Sequence, residues 1–189
     1  MQLEKMHPYW HLQSVINREP NVKTVTLSYY FYRKQSLIDE RTLIHVSRDM
    51  FLDFDYMKRL ILNCPPNQNL AIHSLVECTD GLNKHIPMAD MSTGSKAHLI
   101  KLKAFFDEET FYEFVWFDSG RSFHGYGSSL VTHEQWIKYM GQLLLSNQKD
   151  LKPTVDPRWI GHRLIAGYSA LRWTCNTDNY IHLPTRLTV

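Results

Sequence analysis

With 189 residues the chain is long enough to bury one sizeable core, and we expect a single domain over residues 1–189. Hydrophobic residues make up 43% and charged residues 21%, close to globular averages, which excludes a disordered, collagen-like or coiled-coil protein. The net charge of +2 is too small to indicate nucleic-acid binding by itself.

The cysteines and the first residues bear on the compartment. Cys64, Cys78 and Cys175 lie far apart and form no C-x-x-C pair, so the sequence indicates neither a zinc knuckle nor a disulfide framework. The opening residues lack the apolar run of a signal peptide, and no stretch approaches the ~20 apolar residues of a membrane span. We expect a cytoplasmic protein with no membrane partner.

The first half of the chain alternates between strand and helix patterns. Residues 22–33 are rich in β-branched and aromatic side chains, which predicts a strand. Residues 56–63 predict a short helix that the following prolines stop. Residues 69–77 and 85–91 flank a turn-like Asp-Gly pair and predict a hairpin or two adjacent strands.

The second half continues with a helix and an aromatic segment. Residues 95–106 predict a helix packed on a sheet, because Leu99, Leu102 and Phe106 share one face at helical spacing. The nearly continuous apolar run at 111–117 predicts a buried strand. A Ser-Gly break then leads to a second extended segment at 122–126.

A capping box marks the most clearly predicted helix. Thr132 and Gln135 stand three residues apart before an amphipathic run. The residues expected to face inward are Trp136, Ile137, Met140, Leu143 and Leu144. Because strands and helices follow one another without regular βαβ alternation, we predict an α+β fold in which helices cover one antiparallel or mixed sheet.

Residues 117–131, FDSGRSFHGYGSSLV, carry the most informative pattern in the chain. Their three glycines could let the backbone approach a ligand closely, and alternation on a strand puts Ser122, His124 and Tyr126 on one face. Arg121 could bind two phosphate oxygens while Ser122 and His124 donate single hydrogen bonds. A glycine-containing hairpin with a satisfied histidine is the alternative interpretation.

The segment from Ser119 to His124 resembles the second motif of the archaeo-eukaryotic primase superfamily, in which a Ser-x-His pair contacts the triphosphate of the incoming nucleotide. The family's first motif is an acidic Asp-x-Asp, which Asp90 matches with Ser92 in place of the second acid. Its third motif, a lone aspartate after a strand, is matched by Asp156, and Arg172 lies in a segment similar to the family's Leu-Arg-x.

This resemblance implies a primase-polymerase-like (RRM-like) sheet. It also implies a DNA primase or polymerase activity, the addition of NTP or dNTP to nucleic acid directed by a single-stranded template. It implies catalytic roles for Asp90, Asp156 and His124, with Mg²⁺ or Mn²⁺ bound by the two aspartates. The nucleotide-binding residues would be Ser119, Arg121, Ser122, His124 and Arg172. An accessory protein subunit is a further implied partner. Because Ser92 removes one acid, a degenerate relative that binds nucleotide or nucleic acid without turnover is the alternative.

Other residues compete for these roles. Asp53 and Asp55 form an Asp-x-Asp in the segment FLDFD, which either caps the next helix or serves an unrelated nuclease or phosphotransferase. Asp118 could supply the missing carboxylate. Asp156, directly before a proline, is also a good helix N-cap. The aromatic run at 29–32, followed by two basic residues, either stacks bases or forms a core strand.

Overall fold

Two antiparallel sheets form the framework in a computed structural model that describes residues 5–187 of the chain. The first sheet contains β1 (Val22–Tyr30), β2 (Arg41–Ser47), β3 (Asn69–Cys78), β4 (Asn83–His85), β8 (Val131–Thr132) and β9 (Ala170–Arg172). The second contains β5 (Met88–Asp90), β6 (Val115–Asp118), β7 (Phe123–Tyr126) and β10 (Thr185–Arg186). The α+β class is confirmed, with two sheets where one was expected.

The strand order explains how the sheets are built. In the first sheet the order is β2-β1-β3-β4-β8, and β9 also pairs with β3. In the second sheet the order is β10-β6-β7-β5. The helices are α1 (Pro8–Asn17), α2 (Arg48–Leu52), α3 (Phe54–Leu62), α4 (Lys96–Leu102), α5 (Glu108–Tyr112), α6 (His133–Leu145) and α7 (Pro157–Ala166). None of the helices within residues 5–187 is long and apolar enough to cross a membrane.

The strand expected at 85–91 is divided between the two sheets. His85 ends β4 in the first sheet, and the amide of Ile86 still donates to the carbonyl of Ser74 at 2.8 Å. Pro87 has no N–H to continue the ladder, and from Met88 onward the chain pairs in the second sheet. The two sheets are thus joined directly by residues 86–87.

The prediction of a strand at 111–117 is wrong for the first half of this segment. Phe111 and Tyr112 belong to α5, and the strand runs only over β6. Asp107 explains the helix, since its Oδ1 accepts the Thr110 amide at 2.8 Å and its Oδ2 accepts the Thr110 hydroxyl at 2.9 Å. A local cap therefore overrides the strand preference of the aromatic residues.

The capping box of α6 is confirmed, because the Thr132 side chain accepts from the Gln135 amide and the Gln135 side chain accepts from the Thr132 amide. Trp136, Met140 and Leu143 are buried, as expected. Ile137 and Leu144 were expected inward but are 43% and 45% exposed. The buried stripe of α6 is therefore narrower than its apolar residues suggest.

Two hydrophobic clusters pack on opposite faces of the second sheet. One lies between the two sheets and α1–α3, and it includes Leu12, Leu27, Met57, Phe117 and Tyr126. The other lies beneath α4, α6 and α7, and it includes Leu102, Trp116, Phe123, Met140 and Ile160. Because both faces of its strands are covered, the second sheet is held rigidly.

Candidate active site

The pairing of β5 with β7 brings the first and second motifs together. Asp90 and His124 are directly opposite each other in the register, so their side chains lie on the same face of the sheet. The Nε2 atom of His124 lies 3.6 Å from Oδ1 of Asp90. The His124 side chain is 7% exposed and that of Asp90 is 23% exposed, so solvent reaches the pair from the aspartate side.

The third motif runs alongside the end of β5. The amide of Asp156 donates to the carbonyl of Asp90 at 2.9 Å, and the amide of Ser92 donates to the carbonyl of Thr154 at 3.1 Å. Oδ1 of Asp156 accepts the amides of the first turn of α7 at 2.8 and 3.1 Å, so this aspartate is also the helix N-cap. The cap and the position beside Asp90 are compatible, because both capping bonds use one oxygen.

The tight turn between β6 and β7 contains the second motif. Gly120 has a φ of +104°, a conformation that favours glycine, and its amide donates to Asp118 Oδ1 at 2.7 Å. The Ser119 hydroxyl donates to the Ser122 carbonyl at 2.9 Å and lies 3.1 Å from the Ser122 hydroxyl. These bonds hold the two serines in a fixed relation at the start of β7.

Arg172, at the end of β9, holds this turn in place by a hydrogen bond to its backbone. Its Nη2 donates to the carbonyl of Ser119 at 2.6 Å, and its Nη1 donates to the carbonyls of Thr174 and His182. The guanidinium also lies 4.0 Å from the ring centroid of Tyr180, and the residue is 4% exposed. Its contact with phosphate or template stays a prediction, since the contacts present here orient the turn.

Gly125 has a different purpose from the one the sequence suggested. A Cβ atom at this position would lie 2.5 Å from the ring of Trp116, on the neighbouring strand. Trp116 is buried in the cluster beneath α4, α6 and α7. The glycine therefore admits an indole ring to the sheet surface, and close approach to a ligand does not explain it.

The residues of all three motifs line a central cavity of about 390 Å³. This volume lies within the usual range for small-molecule sites. The predicted site residues that line it are Asp90, Ser119, Arg121, Ser122, His124, Asp156 and Arg172, and Ser92 lines it too. All residues that the resemblance implicated thus share one cavity, which we call the central cavity.

The competing acids lie elsewhere. Asp53 Oδ1 accepts the amides of Asp55 and Tyr56 at 2.9 and 3.2 Å, which makes it the N-cap of α3. Asp118 holds Gly120 and lies 3.6 Å from His182. Neither of these aspartates, nor Asp55, lines the central cavity.

The aromatic run at 29–32 divides between the two interpretations. Tyr29 and Tyr30 belong to β1, and Tyr30 is only 9% exposed. Phe31 and Tyr32 follow the strand, are 56% and 45% exposed, and line the central cavity. Tyr30 lines the cavity as well but is buried, so only Phe31 and Tyr32 combine a place in the cavity with an exposed ring.

Burial and neighbouring charges set the protonation of the Asp90–His124 pair. Burial, followed by the charge of Asp156, raises the pKa of Asp90 to about 8. Burial, followed by the charge of Arg172, lowers the pKa of His124 to about 3. At pH 7 their contact therefore joins a protonated acid to a neutral imidazole and is not an ion pair.

The donor set suits one divalent cation. The charge of Asp156 helps to keep Asp90 protonated, and a hard cation bound between the two carboxylates would favour the ionised form of Asp90. One or two carboxylates with water and phosphate oxygens are a usual set for Mg²⁺. Within residues 5–187 no three His, Cys, Asp or Glu side chains group to hold a metal, and Ser92 contributes no charge.

The amino-acid sequence matches the model of a known protein family. The family model described as archaeo-eukaryotic primase 1D-like (AEP-like) matches residues 49–185, most of the chain. The chain belongs to this family. The superfamily is one of primase-type nucleotidyltransferases, and the fold is consistent with that membership. No curated protein and no solved structure matches the chain.

Three further residues of the central cavity escaped the sequence analysis. Asp39, Arg41 and Arg163 line it together with the motif residues. Arg163 has a sequence signal, because it stands three residues after the buried Ile160 and thus puts a charge on the buried stripe of α7. Asp39 and Arg41 have none, since only the pairing of β2 with β1 brings them to the cavity.

Proposed function

We propose that this protein binds a nucleoside triphosphate with a divalent metal ion in the central cavity and transfers the nucleotide to a nucleic-acid strand, directed by a single-stranded template. The observation that carries the proposal is the convergence of three separate motif segments on one cavity, with Asp90 bonded through its backbone to Asp156 and paired with His124. Family membership agrees with it.

In this proposal the second motif binds the triphosphate. Ser122 and Arg121 offer a hydroxyl and a guanidinium from the turn, and His124 offers a neutral imidazole. With a pKa of about 3, His124 binds a proton too weakly to act as a general base at neutral pH. We therefore assign it a hydrogen bond to phosphate.

The two aspartates would hold the metal ion. When bound, a divalent ion supplies charge neutralisation at the phosphates and activates the attacking hydroxyl. Asp90 has to lose its proton to become a ligand, so binding should release a proton below pH 8. The hydroxyl of the strand loses its proton to solvent as its oxygen bonds to the α-phosphorus, the bond from the α-phosphorus to the β-phosphate oxygen breaks, and pyrophosphate leaves.

Calorimetry with Mg²⁺ and a nucleoside triphosphate, beside a primer-extension assay, tests the proposal. We expect Asp90→Asn and Asp156→Asn to abolish extension and His124→Ala to weaken triphosphate binding about tenfold or more. Asp53→Asn is the matched control, because asparagine keeps the cap of α3 and the residue lies outside the cavity. Loss of activity in Asp53→Asn with unaffected Asp90→Asn would favour the nuclease or phosphotransferase alternative.

Ser92 favours a second candidate function, nucleotide or nucleic-acid binding without turnover. It occupies the position of the second acid in the first motif, is exposed, and lines the central cavity. Triphosphate binding that requires His124, without extension of any primer, would support this candidate. Ser92→Asp should then strengthen Mn²⁺ binding, by about tenfold for one added carboxylate. Primer extension by Ser92→Asp would indicate that the missing acid alone prevents turnover, and no extension would indicate that the site lacks more than this acid.

A further inference from the structure

Two buried arginines that line the central cavity share one carboxylate. The Nε of Arg41 lies 3.0 and 2.9 Å from the two oxygens of Asp39, and Nη2 of Arg163 bonds to Oδ2 of the same residue. The side chains of Arg41 and Arg163 are 8% and 4% exposed, and that of Asp39 is 27% exposed. We call these three residues the arginine wall.

The arginine wall has more donors than acceptors. The Nε and Nη1 atoms of Arg163 are buried and have no hydrogen-bond partner. Arg41 uses Nη1 on the Ser28 hydroxyl at 3.0 Å, and its guanidinium lies 4.5 Å from the centroid of the Tyr30 ring. One carboxylate thus faces two guanidinium groups, which leaves an excess positive charge and two unsatisfied donors away from water.

The surroundings of the arginine wall show the same excess of positive charge. Burial, followed by the charges of Arg41 and Arg163, lowers the pKa of the nearby His73 to about 3. His73 is therefore neutral, and its Nε2 lies 2.7 Å from the Ser28 hydroxyl. Buried cations without enough neighbouring anions destabilise the folded protein, so binding of an anion from solution is energetically favourable here.

Asp39 belongs to an exposed loop, whereas the two arginines belong to a strand and a helix. It lies between β1 and β2 at residues 31–40, where Leu37 and Ile38 are 84% and 63% exposed. Arg158 donates to the Ser36 carbonyl at 3.2 Å and is, with Arg163, the link from α7 to this loop. The arginines themselves lie on β2 and α7, so Asp39 could leave without moving them.

We propose that Arg41 and Arg163 form a second phosphate-binding subsite of the central cavity, and that the carboxylate of Asp39 occupies it until the polyphosphate chain of a nucleotide displaces it. The inference rests on the proposed function for the identity of the ligand. The subsite itself rests on the two guanidinium groups, their unsatisfied donors and the shared cavity. Asp39 thereby lowers the affinity for anions that are too weakly charged to displace it.

Inorganic tripolyphosphate, without nucleoside or metal, is the probe. Calorimetry should show about tenfold tighter binding to Asp39→Asn than to the unaltered protein, and about tenfold weaker binding to Arg163→Gln, since charge-assisted bonds are gained or lost. Asp150→Asn and Arg59→Gln are matched controls at exposed positions outside the cavity and should leave affinity unchanged. Equal affinity in Asp39→Asn and the unaltered protein overturns the proposal.

A measurement on the unaltered protein covers the case in which Asp39→Asn does not fold. Tripolyphosphate should shift the NMR signal of the Arg163 Nε–H, which has no partner in the free protein, and leave that of Arg59 in place. An unchanged Arg163 signal at saturating tripolyphosphate overturns the proposal. So does a shift that only nucleic acid produces, because the ligand would then be a strand backbone.

The two proposals can fail separately. If His124→Ala leaves Mg²⁺-nucleotide binding unchanged while Arg163→Gln weakens tripolyphosphate binding, the proposed function fails and the subsite stands. If His124→Ala weakens nucleotide binding and Arg163→Gln weakens neither ligand, the subsite fails and the proposed function stands.

Discussion

The two sides of the central cavity are held together in different ways. On the motif side, Asp90, His124 and Asp156 are fixed by strand register and a backbone hydrogen bond, and their side chains hardly bond to one another. On the arginine wall, Arg41 and Arg163 belong to β2 and α7, and side-chain bonds to the loop residue Asp39 balance part of their charge. Backbone pairing gives a site that stays in place when empty, whereas side-chain ion pairs give one whose anion can be exchanged.

The largest effect is expected on the free energy of unfolding when the carboxylate of the arginine wall is removed. Asp39→Ala leaves two buried guanidinium groups facing each other, so we expect the free energy of unfolding to fall by about 3 kcal/mol. Urea denaturation at pH 7 measures it. Asp178→Ala, at an exposed position, should change stability little. A loss in Asp39→Ala no larger than in Asp178→Ala would mean that the arginines do not depend on their carboxylate.

Asp90→Asn should do the opposite on the motif side. Because the pKa of Asp90 is raised to about 8, the unfolded chain ionises from about pH 4 while the folded protein holds its proton. The ionisable aspartate therefore costs stability increasingly up to pH 8, and asparagine removes this cost. We expect no added stability near pH 3 and a gain that grows by up to about 1.4 kcal/mol per pH unit between pH 4 and pH 8. Melting temperature against pH measures the difference, and a gain that does not change with pH contradicts the assignment.

A smaller effect sharpens the comparison because each side holds one buried neutral histidine. Burial lowers the pKa of both His73 and His124 to about 3, so their contribution to stability is complete above the unfolded pKa of 6.5 and is lost as the pH falls toward 3. His73→Gln and His124→Gln should each flatten this acid limb by up to about 1.4 kcal/mol per pH unit. His162→Gln is the control for the fitted slopes, because His162 is not among the groups that shift the pKa of either histidine.

Local rules were enough for the features in which neighbouring residues determine the structure. The capping box at Thr132 and Gln135, and the cap that Asp53 provides to α3, follow from a few consecutive residues and are confirmed. The order of the three motifs along the chain likewise led to the primase superfamily, which the match over residues 49–185 bears out.

The sequence could not predict features that depend on distant pairing. The division of residues 85–91 between two sheets follows from the competition of β3 and β7 for the same segment. The meeting of Asp39 with Arg163 joins residues 124 positions apart. Phe111 and Tyr112 show the reverse error, in which strong strand preferences lost to a single aspartate cap.

The crossing of the chain at Pro87 limits how the protein can vary in length. Successive residues of a strand face opposite ways, so one residue added or removed between His85 and Asp90 would turn the aspartate toward Trp116 and away from the cavity. The loop ahead of Asp39 is under less restriction, because exposed loops absorb insertions at little cost while Asp39 keeps its place two residues before Arg41. Natural variants of this protein should therefore differ in length in that loop and keep a constant number of residues from His85 to Asp90.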